Sequence, residues 1–71
     1  MDLEKKIEKI LQIGFVESTE EENVFIYKNH KWTTKDIEHS PIAEIIKYKA
    51  YYDGNLTLSE LKKALFDIGN Y

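Results

Sequence analysis

Apolar residues recur at helical spacing near the start of the chain: Leu3, Ile7, Ile10 and Leu11. This spacing places them on one face of an α-helix, and we predict that the helix covers about residues 3–13. Asp2 is of a type that caps helix starts, and Gly14 lies where a left-handed residue ends a helix.

The residues after this glycine have the pattern of two β-strands. An extended stretch begins at Phe15-Val16, and the run Val24-Phe25-Ile26-Tyr27 is rich in β-branched and aromatic residues. Residues 18–23 separate the two stretches and include three consecutive glutamates. We therefore predict a β-hairpin with an acidic loop. Because alternate residues of a strand point to opposite faces, both faces of the second strand are apolar, and we expect helices to cover part of them.

Two helix starts follow the hairpin. Thr33 is placed to cap a short helical turn, with Asp36 three residues later. Ser40-Pro41 gives the second start, with the serine as the cap and the proline at the first helical position. We predict that this helix covers about residues 41–52 and ends at Asp53-Gly54-Asn55. Its predicted buried side consists of three isoleucines: Ile42, Ile45 and Ile46.

The last helix has a clear start signal, in which Thr57 caps the helix and Glu60 reaches back to it. An apolar stripe follows and Gly69 is predicted to end it; the stripe consists of Leu58, Leu61, Leu65 and Ile68. The predicted fold class is therefore α+β, with an N-terminal helix, a β-hairpin and then two or three C-terminal helical segments. We predict a single small domain over residues 1–71.

The composition is typical of a small, acidic, soluble protein. The chain has 42% hydrophobic and 32% charged residues, a net charge of −3 and no cysteine, so neither disulfides nor thiolate-bound metal stabilise it. All ten basic residues are lysine. Because arginine makes the commonest two-pronged contacts with phosphate and guanine, its absence disfavours nucleic-acid binding. No apolar run has the length of a signal region or a membrane span, and we expect a cytoplasmic protein without a membrane partner.

No motif for catalysis or cofactor binding is present. His30 and His39 lack the neighbouring nucleophile or carboxylate pattern that catalysis requires. Residues 51–61 resemble the second half of an EF-hand calcium loop, but Lys49 and Tyr51 occupy the positions of the first and third ligands. An ammonium and a phenol do not replace carboxylate oxygens there. We therefore expect a protein that is not an enzyme and has no metal or other cofactor.

Two groups of residues are candidate partner-binding sites. The first is the acidic hairpin tip formed by Glu20, Glu21 and Glu22, which suits a basic partner. The second group is aromatic and consists of Trp32, Tyr48, Tyr51 and Tyr52. Tyrosine and tryptophan are common in interface hot spots because they give large, stiff contact area. If the isoleucines of the third helix face inward, at least one of its three tyrosines is expected to be exposed, since successive residues turn by ~100°.

The leading hypothesis is a non-enzymatic protein that binds another macromolecule, as a small phage or mobile-element regulator or inhibitor of a host protein. The chain is rich in Lys, Ile, Asn and Tyr, a composition that is typical of proteins from an AT-rich genome. We expect a protein partner, and the sequence leaves a homodimer open.

Two alternatives belong to other functional classes. Residues 34–52 resemble a helix-turn-helix segment, which implies a DNA-binding transcriptional regulator with charge from Lys35, Lys47 and Lys49. The order helix, glycine, hairpin and then His30 resembles small bacterial toxins with a double-stranded-RNA-binding-like fold. That resemblance implies a ribonuclease-type activity at His30, although the Gly-Ser-His context of the toxin histidine is absent.

Overall fold

The structure, a computed structural model, describes residues 2–69 and has a mixed α+β fold. In chain order the elements are α1 (Leu3–Gln12), β1 (Val16–Glu17), β2 (Val24–Tyr27), β3 (His30–Thr33), α2 (Thr34–His39), α3 (Ile42–Tyr52) and α4 (Leu58–Gly69). The chain divides into two compact units between Ser40 and Pro41. The predicted α+β class is confirmed, whereas the single domain over residues 1–71 stays a prediction.

Helix α1 begins and ends at the predicted residues, within one position. The Asp2 carboxylate accepts a hydrogen bond from the backbone N–H of Lys5 at 2.9 Å, which satisfies a free donor of the first turn. Gly14 follows the helix with a φ of +121°, a value that residues with a side chain rarely adopt. A Cβ at Gly14 would also lie 3.0 Å from the ring of Tyr27. The turn and the close approach of the chain to β2 therefore both favour glycine.

The first unit contains an antiparallel sheet with the strand order β1-β2-β3. The predicted hairpin is confirmed as β1 and β2, in which Val16 lies opposite Ile26 and Glu17 lies opposite Phe25. Since directly opposite residues share a face, Val16 and Ile26 lie on one face and Phe25 lies on the other.

A third strand, which the sequence analysis did not predict, completes this sheet. Strand β3 pairs with β2 so that Tyr27 lies opposite His30, and only Lys28 and Asn29 connect them. These two residues have φ values of +46° and +70°, as in a type I′ turn, the tight connection that matches the twist of two antiparallel strands. The predicted hairpin is therefore part of a three-stranded meander.

Aromatic residues form much of the core of the first unit. The Phe15 ring lies 5.2 Å from that of Tyr27 and meets Trp32 edge-on at 6.3 Å, between ring centroids. Helix α1 packs against α2, and α2 packs against β3. The buried apolar residues of this unit are Ile10, Phe15, Val24, Phe25, Trp32 and Ile37.

Helix α2 is short, and specific contacts hold both of its ends. At the start, Thr33 and Asp36 form the predicted capping box, with side-chain-to-backbone hydrogen bonds of 2.9 and 3.1 Å. At the end, the Lys6 ammonium donates to the carbonyl oxygens of Ile37, Glu38 and Ser40 at 3.3, 2.9 and 3.0 Å. The last carbonyls of a helix lack intrahelical partners and carry partial negative charge, so a cation is stabilising there.

We predict that Lys6→Met lowers the free energy of unfolding by about 1–3 kcal/mol, because part-buried carbonyl oxygens lose a charged donor. Methionine keeps a long apolar stem, so the change isolates the ammonium. Lys5→Met is the matched control; the exposed Lys5 side chain is expected to change stability by less than about 0.5 kcal/mol. Urea unfolding measures the free energy of unfolding of both variants, and equal midpoints for the two would show that the Lys6 ammonium adds no stability.

In the second unit, α3 begins without the predicted serine cap. Ser40 instead follows the end of α2, and its backbone N–H donates to the carbonyl of Ile37. Pro41 takes the capping position, has no side-chain hydrogen bond, and accepts from the N–H groups of Glu44 and Ile45. The prediction of Ser40 as the cap is wrong because Ser40 belongs to the end of the preceding helix.

The end of α3 is as predicted. Gly54 has a φ of +81°, and the N–H of Asn55 donates to the carbonyl of Ala50 at 2.9 Å. This is a glycine-containing helix end, in which positive φ turns the chain back onto the last free carbonyls.

The buried face of α3 differs from the predicted one. Ile45 is fully buried and Ile42 is half-buried, but Ile46 is 39% exposed. Glu44 is buried and the three tyrosines are half-buried. Because each residue adds ~100° around a helix, Tyr48 and Tyr52 lie on the side of Ile45 that is away from Ile46. The buried stripe is therefore centred between Ile45 and these tyrosines, and the prediction for Ile46 is wrong.

Helix α4 packs against α3 and begins with the predicted capping pair. The N–H of Thr57 donates to the Glu60 carboxylate at 2.9 Å, and the N–H of Glu60 donates to the Thr57 hydroxyl at 3.2 Å. The backbone and side-chain hydrogen bonds from Thr57 hold the pKa of the Glu60 carboxyl below its ordinary value. The start of this helix is therefore confirmed.

The apolar stripe of α4 is buried only in part. Leu61 is 3% exposed, Leu65 and Ile68 are half-buried, and Leu58 is 51% exposed. Leu58 is the first helical residue, where no preceding turn shields it. The helix includes Gly69, and the residue after Gly69 lies outside the described part of the chain.

Candidate functional site

The acidic loop between β1 and β2 has a defined backbone structure. The Ser18 hydroxyl accepts hydrogen bonds from the N–H groups of Glu20 and Glu21 at 3.2 and 3.0 Å. The N–H of Ser18 donates to the carbonyl of Val24 at 2.8 Å, and Asn23 has a φ of +60°. Asparagine tolerates this conformation better than most residues, and the serine contacts are typical of a side-chain-stabilised turn. The loop therefore presents its carboxylates from a fixed backbone.

Glu20, Glu21 and Glu22 are all exposed, but only Glu21 reaches a neighbouring cation. Its carboxylate accepts a hydrogen bond from the Lys31 ammonium, and both side chains remain about half exposed. This hydrogen bond and the charge of Glu21, together with a smaller effect of Glu20, raise the pKa of Lys31 above its ordinary value. The ion pair joins the loop to β3 and leaves the Glu20 and Glu22 carboxylates in solvent.

Two shallow depressions flank this loop within the first unit. The larger, of about 600 Å³, is bounded by the loop together with Ile7, Phe25 and Thr34. The smaller, of about 310 Å³, lies on the opposite face of the sheet and contains Val16, Ile26 and Lys31. Both are open and combine acidic and apolar side chains. They are suited to contact with another molecule's surface more than to enclosing a small ligand.

Val16, Ile26 and Lys31 line the smaller depression but were not among the candidate residues predicted from the sequence. Lys31 reaches the loop only because β3 pairs with β2, and that strand was not predicted. A signal for the pairing was present in Lys28-Asn29, since asparagine is favoured where a two-residue hairpin loop needs positive φ.

The three tyrosines of α3 form an aromatic cluster in the second unit. The ring of Tyr52 lies 6.2 Å from that of Tyr48 and 6.0 Å from that of Tyr51, between centroids. All three residues are half-buried. The expectation of an exposed tyrosine assumed that the three isoleucines all face inward, and Ile46 does not. The tyrosines lie toward the buried side of α3, and the ring of Tyr52 is close to the rings of both neighbours. Their contact with a partner stays a prediction.

Trp32, the fourth aromatic candidate, lies on β3 and is 8% exposed. Its ring meets Phe15 in an edge-to-face arrangement, which is a typical core contact. The structure therefore places Trp32 in the interior of the first unit, apart from the exposed acidic loop.

The residues behind the other two hypotheses belong to several elements. Lys35 and Lys47 are exposed, whereas Lys49 forms an ion pair with Asp53 at 2.8 Å and is only a quarter exposed. His30 lies on β3 and His39 ends α2, both exposed. Among residues 2–69, no group of three or more histidine and acidic side chains is placed to hold a metal ion.

Comparison with known proteins gives no relative: no family model, no curated protein and no solved structure matches the chain. In the part of the chain that the structure describes, no helix has both the length and the apolar character needed to span a membrane.

Proposed function

We propose that this chain is a non-enzymatic protein that acts by binding another protein, as a small regulator or inhibitor of phage or mobile-element type. The observation that carries the proposal is the acidic loop, whose exposed carboxylates extend from a backbone held by Ser18. A preorganised loop loses little conformational entropy on binding, and its negative charge speeds the approach of a basic partner.

The charge distribution supports a protein partner over DNA. The acidic loop repels phosphate, and among the lysines of the helix-turn-helix-like segment Lys49 already pairs with Asp53. Two exposed lysines, Lys35 and Lys47, remain for a phosphate backbone. The DNA-binding alternative is therefore kept as an outcome of the test below.

The tyrosine cluster is proposed as a second contact region. Its three rings lie close to one another and the three residues are half-buried, so only part of each residue is within reach of a partner. Tyrosines held in this way form contacts at low entropic cost. The cluster and the acidic loop are separate proposals.

The test is affinity capture from the lysate of a low-GC bacterium, with identification of the retained proteins. The variant changes three loop residues together: Glu20→Gln, Glu21→Gln and Glu22→Gln. The control makes the same change in charge on exposed helical positions: Glu4→Gln, Glu8→Gln and Glu38→Gln. We expect a partner that the parent and the control retain and that the loop variant binds at least about tenfold more weakly, because the loop supplies the steering charge.

Equal capture by the two glutamine variants would show that the loop is not the binding surface. A parallel titration with duplex DNA separates the alternative function. DNA binding whose affinity falls steeply as salt is raised, together with capture that the loop variant retains, would favour a DNA-binding regulator.

A further inference from the structure

The outer face of the sheet in the first unit carries apolar side chains next to the acidic loop. Val16 and Ile26 lie opposite each other, and Lys31 lies opposite Ile26 on the far strand, so all three share one face. Val16 is 65% exposed and Ile26 is half-buried. We call Val16, Ile26 and Lys31 the outer sheet face; Val16 gives it an apolar side chain that is open to solvent.

The loop gives this apolar face an acidic rim. Glu20 and Glu21 border the same depression of about 310 Å³ that contains Val16 and Ile26. Lys31 already shows which side chain the rim accepts, since its stem starts beside Ile26 and its ammonium reaches Glu21. Lys31 is thus the one lysine that lines this depression, against three glutamates that include Glu17, and Glu20 remains in solvent.

We infer that the outer sheet face binds a lysine or arginine side chain of the partner protein, with the aliphatic stem on Val16 and Ile26 and the cationic end at Glu20. Long basic side chains bury their methylene stems on apolar surface while their charge stays at a polar edge. The negative charge of the rim favours a positively charged side chain, and the apolar floor favours one with a long aliphatic stem. The inference rests on the proposed protein-binding function and defines the chemistry that the partner must carry.

The probe is a blocked glycine-lysine peptide that is titrated into the isotope-labelled protein at mildly acidic pH. Binding is measured from the NMR chemical shifts of the protein's backbone amides. A second peptide replaces each lysine by 2,4-diaminobutyric acid, which keeps the ammonium and lacks two methylene groups. We expect the lysine peptide to shift the amides of Val16, Ile26 and Lys31. We expect it to bind about fivefold more tightly than the diaminobutyric acid peptide, because a fully buried methylene contributes about fourfold and the two extra methylenes are only partly buried.

Val16→Ser should remove this difference between the peptides, whereas Leu58→Ser should keep it. Leu58 is the matched control because it is an exposed aliphatic residue in the second unit. If the parent binds both peptides equally, or if neither peptide shifts these amides, the inference is wrong. The proposed function then still stands if the glutamine loop variant loses the captured protein. If that variant keeps the protein, the acidic loop fails as the binding surface together with the inference.

Discussion

Replacement of Leu61 by alanine is expected to lower the free energy of unfolding by about 2–5 kcal/mol, which is a large part of the stability of a small domain. Leu61 is 3% exposed on α4, so the shorter side chain leaves a cavity in addition to losing buried apolar surface. Chemical denaturation followed by far-UV circular dichroism measures the change.

Two further leucines of the same stripe give a graded control. Leu65 is half-buried and Leu58 is 51% exposed. We therefore expect Leu65→Ala to cost less than Leu61→Ala, and Leu58→Ala to change stability by less than about 0.5 kcal/mol. Equal losses at all three positions would mean that α4 is not packed with Leu61 at its centre.

The same variant tests whether the chain is one cooperative domain. The single tryptophan, Trp32, lies in the first unit, whereas Leu61 lies in the second. In a two-state domain all probes report the same transition, so Trp32 fluorescence and circular dichroism should shift together. A fluorescence midpoint that stays unchanged in Leu61→Ala would show that the units unfold separately, and the prediction of a single domain would then be wrong.

Helix ends were the most predictable part of the fold because their causes are local. Asp2, Thr33 and Thr57 each form the capping contact that the sequence predicts. Gly14 and Gly54 have positive φ at the predicted turns. Such contacts join residues within about one helical turn, so a short window of sequence contains both partners.

Strand β3 was less predictable because its sequence is largely polar. Of its four residues only Trp32 is buried, so no alternating apolar pattern marks it. Its position is determined by the turn at Lys28-Asn29, which lacks glycine, and by pairing with β2. Pairing between strands is a tertiary property, and local propensity carries only part of that information.

The buried face of α3 shows a second limit of pattern analysis. Isoleucines and tyrosines together cover more than half of the helix surface, so helical spacing alone allows several choices of inward direction. The three isoleucines suggested one direction, and the structure buries the side that contains Ile45 and the tyrosines. The choice depends on what packs against the helix.

The candidate site was predictable only as far as its charge. Three consecutive glutamates between two strands identify an acidic loop from sequence alone. The participation of Val16 and Lys31 requires the strand register, because pairing with β2 places Val16 opposite Ile26 and brings Lys31 to the same face, within reach of Glu21. The sequence thus predicts the negative charge of the surface, whereas its apolar residues are identified only from the strand register.

Trp32→Ala is expected to lower the free energy of unfolding by about 3–5 kcal/mol, because the ring is 8% exposed and packs edge-on against Phe15. The loss should appear in far-UV circular dichroism, since the variant has no tryptophan to report by fluorescence. Trp32→Phe is the matched control; it keeps an aromatic ring and should lose clearly less stability.

Capture experiments with the same variants decide what Trp32 does. If Trp32 belongs to the core, Trp32→Phe retains the captured partner, and Trp32→Ala loses it only under conditions in which the variant is unfolded. A variant Trp32→Ala that melts like the parent and yet fails to capture the partner would show a direct contact, as the sequence analysis predicted. Because burial of Trp32 leaves little of its ring within reach of another molecule, we expect the first of these results.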